Sequence, residues 1–268
     1  MNRGYLRKKL KWEAKRLLPG RLSFCLTMLL LWGVLWYFTS WLSGSFGLTL
    51  PPMPELTSDP AVFDAYILDC IAAWRSIAPV QLLGMGLTAM LGFLLRAPLD
   101  AGIAANYLAL STGGETPRVK NTFAYYIGPG LLSRVLLTEL LRLFWETLWL
   151  LPGLAAAVAT LMVTDLYLGF ALSLLSMALM VLGYVRIGAY AQTRYLLAAR
   201  PDLSPRGIVR LSAQNMRGRL WDYALFQLSF LPWIILAAVT MMLSMIYFLP
   251  YYQMCMALYM RRTWPQPE

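Results

Sequence analysis

Polar side chains nearly vanish from this chain over stretches of about 20 residues, the length an α-helix needs to cross the ~30 Å hydrocarbon layer of a bilayer. Between these stretches lie short polar segments rich in turn formers. The pattern predicts spans near residues 22–42, 76–95, 131–163, 166–197, 220–238 and 244–261. Residues 1–18 read differently. Leu6, Leu10, Ala14 and Leu17 recur at helical spacing, Arg7, Lys8, Lys11 and Lys15 surround them, and Trp12 suits headgroup height. This is the pattern of a basic amphipathic helix lying on the inner leaflet, ended by Pro19-Gly20. The apolar run that follows has the length of a full span, longer than the core of a signal peptide. The expected fold is all-α, a polytopic transmembrane helical bundle of about six spans with an N-terminal amphipathic interfacial helix. Its parts are the interfacial helix over 1–20, one transmembrane domain over 21–262 and a tail over 263–268.

The polar segments set an expected orientation. Ser43–Trp74 holds Glu55, Asp59, Asp64 and Asp69, contains PPMPELTSDP and has no Lys or Arg, so the positive-inside rule places it outside. Arg96, Arg118 and Lys120 mark one inner segment. Arg186, Arg194, Arg200, Arg206, Arg210, Arg217 and Arg219, against the lone acid Asp202, mark a second. Both termini are then cytoplasmic. Ala97–Leu110 is too short for a span and reads as a helical continuation or an interfacial helix. The apolar sequence beyond Pro152-Gly153 suggests a helix that kinks there. Ser204-Pro205 has the form of a cap followed by a first helical residue, Gly218 that of a helix stop, and the last hairpin is expected to turn near 238–244.

Composition sharpens this picture. Of 268 residues 59% are hydrophobic and only 13% charged, against about 25% in soluble domains, and the mean hydropathy is +0.57. The net charge of +10 is what inner-face anchoring to anionic lipid produces, and no folded basic domain exists to carry nucleic-acid binding. Cys25, Cys70 and Cys255 form no C-x-x-C pair, and there is no histidine. The commonest general base, the Ser-His and Cys-His nucleophiles and HExxH zinc chemistry are thereby excluded. No cofactor, metal site or catalytic set is expected.

The stretch YLLAARPDLSPRGIVRLSAQNMRGRLWDYALFQLSFLPW, followed by LPYYQMCMALYMRR, resembles the bacterial membrane-protein family known as domain of unknown function 975. The resemblance rests on Pro201, Ser204, Ser212, Met216, Gly218, Leu228, Ser229, Phe230, Trp233, Pro250, Tyr251 and Tyr259, with LPG at 151–153, and is clearest over residues 150–262. Two departures stand out. Met241-Met242-Leu243-Ser244-Met245 replaces a glycine-rich turn in the last hairpin, and the interval between Pro152-Gly153 and Pro201 is longer than usual. The resemblance implies a bacterial polytopic membrane protein and carries no catalytic residue.

The third span holds the strongest local signal. Arg134, Thr138, Glu139, Arg142 and Glu146 fall within an arc of about 140° on an otherwise apolar helix. Each charge at a bilayer centre costs about 2.5–3.5 kcal/mol, so these side chains should face protein or water. They read as a polar pathway with Glu139 or Glu146 exchanging a proton or contacting a cation, as a structural ion-pair network, or as a wet segment at the inner interface. Lys8, Lys11, Lys15, Arg206, Arg210 and Arg217 are candidate contacts for anionic inner-leaflet lipid or an acidic partner. Asp100 and Asp165 read as solvated near opposite faces, and Asp222 as a cap of the fifth helix.

The favoured function is a non-enzymatic component of the bacterial cytoplasmic membrane, a scaffold or accessory subunit of a transport or envelope system, with lipid and other membrane proteins as its partners. The alternative is a transporter or channel using the stripe Arg134/Glu139/Arg142/Glu146. An intramembrane enzyme is disfavoured, because Glu139 and Glu146 lie two turns, about 10 Å, apart on one helix.

Overall fold

The computed structural model describes residues 3–46, 52, 60–163 and 165–264. The expected turn-rich outer segment with Glu55 and Asp59, and most of the tail, lie outside the described residues. So does the side chain of Asp64. Helices make up most of the described chain, and no strand occurs among the described residues. In order they are α1 (Arg3–Leu17), α2 (Leu22–Gly44), α3 (Pro60–Arg75), α4 (Pro79–Ser111), α5 (Ala124–Ile127), α6 (Leu131–Thr160), α7 (Leu166–Ile187), α8 (Thr193–Ala199), α9 (Pro205–Asn215), α10 (Leu220–Leu228), α11 (Leu231–Val239) and α12 (Met245–Thr263).

Five segments among the described residues are long and apolar enough to cross a membrane: Pro19–Gly44, Pro79–Ser111, Leu131–Thr160, Tyr167–Ala199 and Leu220–Val239. Their outward faces carry large apolar side chains, such as Leu140, Phe144, Leu148 and Leu151 on α6 and Phe170, Leu174, Met177 and Val181 on α7. A water-soluble fold would bury these groups; here they are the surface. This is the all-α helical bundle of a membrane protein. Ala97–Leu110 proves to be a helical continuation, and α4 runs on through Pro98 to Ser111. Pro152 likewise lies inside α6 rather than ending it.

The chain divides into two compact units, Leu31–Arg96 and the remainder. In the first, Arg96 donates to the Trp36 carbonyl at 3.2 Å and to the Thr39 hydroxyl, and Gly84 lets α4 meet the Phe46 ring.

The larger unit is built around α12. Tyr251, Met254, Cys255, Met256, Ala257, Leu258, Tyr259 and Met260 are all buried there. An aromatic ladder from α10 and α11 covers one side: Phe226 stacks on Tyr259 at 5.0 Å, Phe230 meets Tyr252 edge-on at 5.2 Å, and Trp233 stacks on Phe248 at 5.7 Å. Helix α1 packs on α12 too. The apolar stripe expected to dip into lipid is instead turned against protein, with Leu10 and Ala14 fully buried. Polar clasps hold α1 in place: Lys11 Nζ donates to the Ser229 carbonyl at 2.8 Å and sits 4.3 Å from the Phe230 ring centre, and Arg262 pairs with Glu13 at 2.5 Å.

Helices α6 and α7 form an antiparallel hairpin. Gly183 lies against the Trp149 carbonyl and Gly153 against Met180, while the Ser176 hydroxyl donates to the Gly153 carbonyl at 3.0 Å. Small residues permit this approach, the usual means of joining helices in a membrane. Short motifs fold as their residues dictate. Ser204 Oγ accepts from the Gly207 N–H at 3.2 Å ahead of Pro205, and Gly218 takes φ +72° where α9 gives way to α10. The last hairpin turns at Thr240–Ser244, with Met241 and Met242 at φ +46° and +71°, a region that favours glycine.

The hairpin packing makes a prediction. A Cβ at Gly183 would stand 2.6 Å from the Trp149 carbonyl oxygen, whereas one at Gly169 on the same helix meets nothing within 4 Å. Gly183→Ala should lower stability in detergent by about 2 kcal/mol, and Gly169→Ala should leave it unchanged or raised; thermal unfolding of the two variants beside the parent checks this.

Candidate functional site

The α6–α7 hairpin fixes what lies opposite the charged stripe. The register that sets Gly183 against Trp149 and Gly153 against Met180 continues past the end of α7 and brings Arg194, on α8, beside Glu139. Glu139 Oε1 accepts from Arg194 Nε at 2.6 Å, and Oε2 accepts from Arg142 Nε, also at 2.6 Å. Arg194 reaches on to Asp100 Oδ2 at 3.0 Å, and Arg142 reaches Glu146 one turn along α6. The result is an alternating chain, Glu146–Arg142–Glu139–Arg194–Asp100, that joins α4, α6 and α8. Its centre is its driest point: the Glu139 side chain is 4% exposed, against 15% for Glu146 and 16% for Asp100.

Each oxygen of Glu139 faces a different guanidinium, so its charge is neutralised from two directions in a place where an isolated carboxylate is unstable. Three carboxylates and two guanidiniums leave the chain with a formal surplus of one negative charge. Depth follows from helical rise. From Leu161, just past α6, Glu146 lies about 22 Å along the axis and Glu139 about 33 Å, against a hydrocarbon layer of ~30 Å. Glu146 thus lies within one hydrocarbon thickness of Leu161 along α6, and Glu139 just beyond it.

Of the five residues of the expected stripe, the structure brings Glu139, Arg142 and Glu146 together. Thr138 is buried, but its hydroxyl donates to the Arg134 carbonyl at 2.7 Å within the helix. Arg134 turns the other way, donating to the carbonyls of Pro201 at 2.7 Å and Arg200 at 2.6 Å, where it holds the end of α8. Asp100 and Arg194 complete the network and escaped sequence reasoning. The reading of Asp100 as solvated is corrected: its carboxylate is ion-paired. A signal was present, since folding the chain back on itself beyond Leu161 sets Glu139 opposite a stretch whose only charges are Arg186 and Arg194. Asp165 itself is exposed and caps α7, accepting from the Leu168 N–H at 2.8 Å.

The basic residues fall into two groups at one end of the larger unit. One group holds the fold. Arg21 donates to the carbonyls of Leu110, Gly113 and Gly114 at 3.0, 2.9 and 2.6 Å, Arg261 donates to Ser111, and Arg219 donates to Thr263 at 2.9 Å. Arg7 lies 3.5 Å from Asp222, which also accepts from the Tyr259 hydroxyl at 3.2 Å; Asp222 is thus a buried junction rather than a helix cap. Lys11 belongs to this group, and its burial pushes the ammonium below the ordinary lysine range. The other group, Lys8, Lys15, Arg206, Arg210 and Arg217, is exposed. Of the six cations read as lipid contacts, Lys11 alone is committed to protein. Among the described residues no group of three or more His, Cys, Asp or Glu stands where it would hold a metal ion.

The central place of Glu139 has a measurable consequence. Glu139→Gln removes the counter-ion that two guanidiniums share, leaving Arg142 with Glu146 and Arg194 with Asp100, and should destabilise the protein in detergent by about 2 kcal/mol. Glu146→Gln, at the wetter end of the chain, should have a clearly smaller effect; denaturant titration of both variants tests the ranking.

Comparison with known proteins gives one assignment. The family model described as "Protein of unknown function (DUF975)" matches residues 1–264. No curated protein and no solved structure matches the chain. The match takes in the N-terminal helix, the charged stripe and the last hairpin alike, and the chain is therefore a member of the DUF975 family over nearly its whole length.

Proposed function

We propose that this is a non-enzymatic membrane protein of the bacterial cytoplasmic membrane, a scaffold or accessory component of a transport or envelope system, with both ends on the cytoplasmic side. The observation that carries the reading is Glu139, the most buried charge of the network, held at both oxygens by arginines from two helices. A carboxylate so engaged joins helices; it is not presented to a passing substrate. The orientation rests on the positive-inside rule, with Lys8, Lys15, Arg206, Arg210 and Arg217 free to meet anionic headgroups of the inner leaflet. The broad apolar faces of α6 and α7 suit lipid and other membrane proteins.

A second reading, a transporter or channel, draws on one observation. The network gathers three carboxylates, Asp100, Glu139 and Glu146, into one chain of contacts, as a proton or cation site does.

Reconstitution separates the two. In the scaffold reading, liposomes holding the purified protein pass protons and monovalent cations no faster than protein-free liposomes, and gentle purification after in-membrane cross-linking returns a reproducible membrane-protein partner. A flux in the parent protein that Glu139→Gln/Glu146→Gln abolishes, with the variant still folded, establishes transport instead.

A further inference from the structure

We infer that the hairpin formed by α10–α11 and α12 does not cross the bilayer but enters and returns, ending among lipid acyl chains with its tip, Thr240–Ser244, inside the hydrocarbon.

Relative depth is the first argument. The Tyr184 hydroxyl donates to Gln227 Oε1 at 2.8 Å, and Gly188 lies against the Tyr223 ring. Both ties obey one antiparallel register between α7 and α10. Carried forward from Gln227, that register sets Val239, at the end of α11, level with residue 172. Helix α7 begins six residues earlier, at Leu166, so the last hairpin stops about 9 Å short of the α6–α7 turn. Length agrees. Helix α7 has twenty residues, Leu166–Val185, before Arg186, about 30 Å and a full hydrocarbon crossing. Helix α12 has sixteen, Met245–Met260, before Arg261, about 24 Å; the other arm, Leu220–Val239, has the length of a crossing, but by the same register it starts level with residue 191, beyond the end of α7 at Ile187.

The chemistry of the tip is the second argument. No charged residue occurs from Tyr223 to Met260. Met241, Met242 and Leu243 are 89, 64 and 71% exposed. The turn keeps methionine at two positive-φ positions where glycine or asparagine is the ordinary choice for a turn in water. Its backbone is also closed upon itself. The N–H of Thr240 donates to Leu236, Met242 to Ala237, Leu243 to Thr240, Met245 to Met242 and Ile246 to Leu243, while the Ser244 N–H finds the Thr240 hydroxyl. Irregular backbone survives in hydrocarbon only when its donors are satisfied internally. Six of the seven N–H groups from Thr240 to Ile246 are satisfied in this way, Met241 being the exception, and the side chains facing outward are apolar, so acyl chains are its fitting surroundings. Both ends of the hairpin stay on one side of the membrane, so the two termini remain together.

Cysteine accessibility in intact membranes tests the inference. In a Cys70→Ala background, which keeps the buried Cys25 and Cys255 as a blank, Met242→Cys and Leu243→Cys are compared with Met162→Cys in the α6–α7 turn. A membrane-impermeant maleimide should label the hairpin sites about tenfold more slowly than residue 162, because a thiol in hydrocarbon does not ionise, and all sites should react alike in denaturing detergent. Equal rates in intact membranes overturn the inference. A nitroxide at the same positions supplies an independent reading. Collision with oxygen well above collision with a polar nickel chelate is the result for lipid; high chelate access means water, and low access to both means cover by protein, and either contradicts it.

Discussion

A single carboxylate, Glu139, is the point on which the larger unit turns. Breaking a buried ion pair leaves the surviving charge stranded, at a cost of about 3–5 kcal/mol. Loss of Glu139 would leave two guanidiniums, one on its own helix and one on α8, with a single carboxylate each. Arg194 is shared in turn with Asp100 of α4. Each inner member of the chain is shared between two partners, so three segments remote in sequence are bound to one arrangement. The gain is in specificity of assembly more than in raw stability, since apolar replacements of buried ion pairs are often neutral.

The close packing of α6 on α7 makes that geometry attainable. Gly183 and Gly153 allow backbone approach, and Ser176 ties the hairpin across it. Without this approach the register would not deliver Arg194 to Glu139. At the basic end, Arg21 and Arg261 satisfy carbonyls at the close of α4, where a positive charge complements the helix dipole. Arg134 does the same for α8. The excess of arginine that sets topology in sequence terms therefore has a second use, closing helix ends that would otherwise present bare carbonyls to an apolar environment.

Much of the fold was legible in the chain because apolar length and punctuation are local properties. Ser204-Pro205 and Gly218 folded as their residues require, the turn near 240 formed where apolar length put it despite its methionines, and the α6 stripe was visible in one helix's periodicity. What lay beyond reach was pairing between helices. Arg194 sits in a run of arginines whose simplest reading is anchoring, and Asp100 looks like any carboxylate near a membrane face; only the hairpin register makes them partners. The same holds for α1. Its amphipathic pattern fits a lipid surface and a protein surface equally well, and the structure selects protein because Leu10 and Ala14 find α12. Lys11 follows from that choice: once α1 docks, its ammonium is over the Phe230 ring and no longer at the headgroups.

If these charges act on one another across helices, a double-mutant cycle on Glu139 and Arg194 reads the coupling, with Glu139→Gln, Arg194→Gln and the combined variant unfolded side by side in detergent. A coupling of about 2 kcal/mol, so that the combined variant is little worse than the poorer single one, is the predicted result. Strict additivity of the two losses, or single variants as stable as the parent, would contradict it.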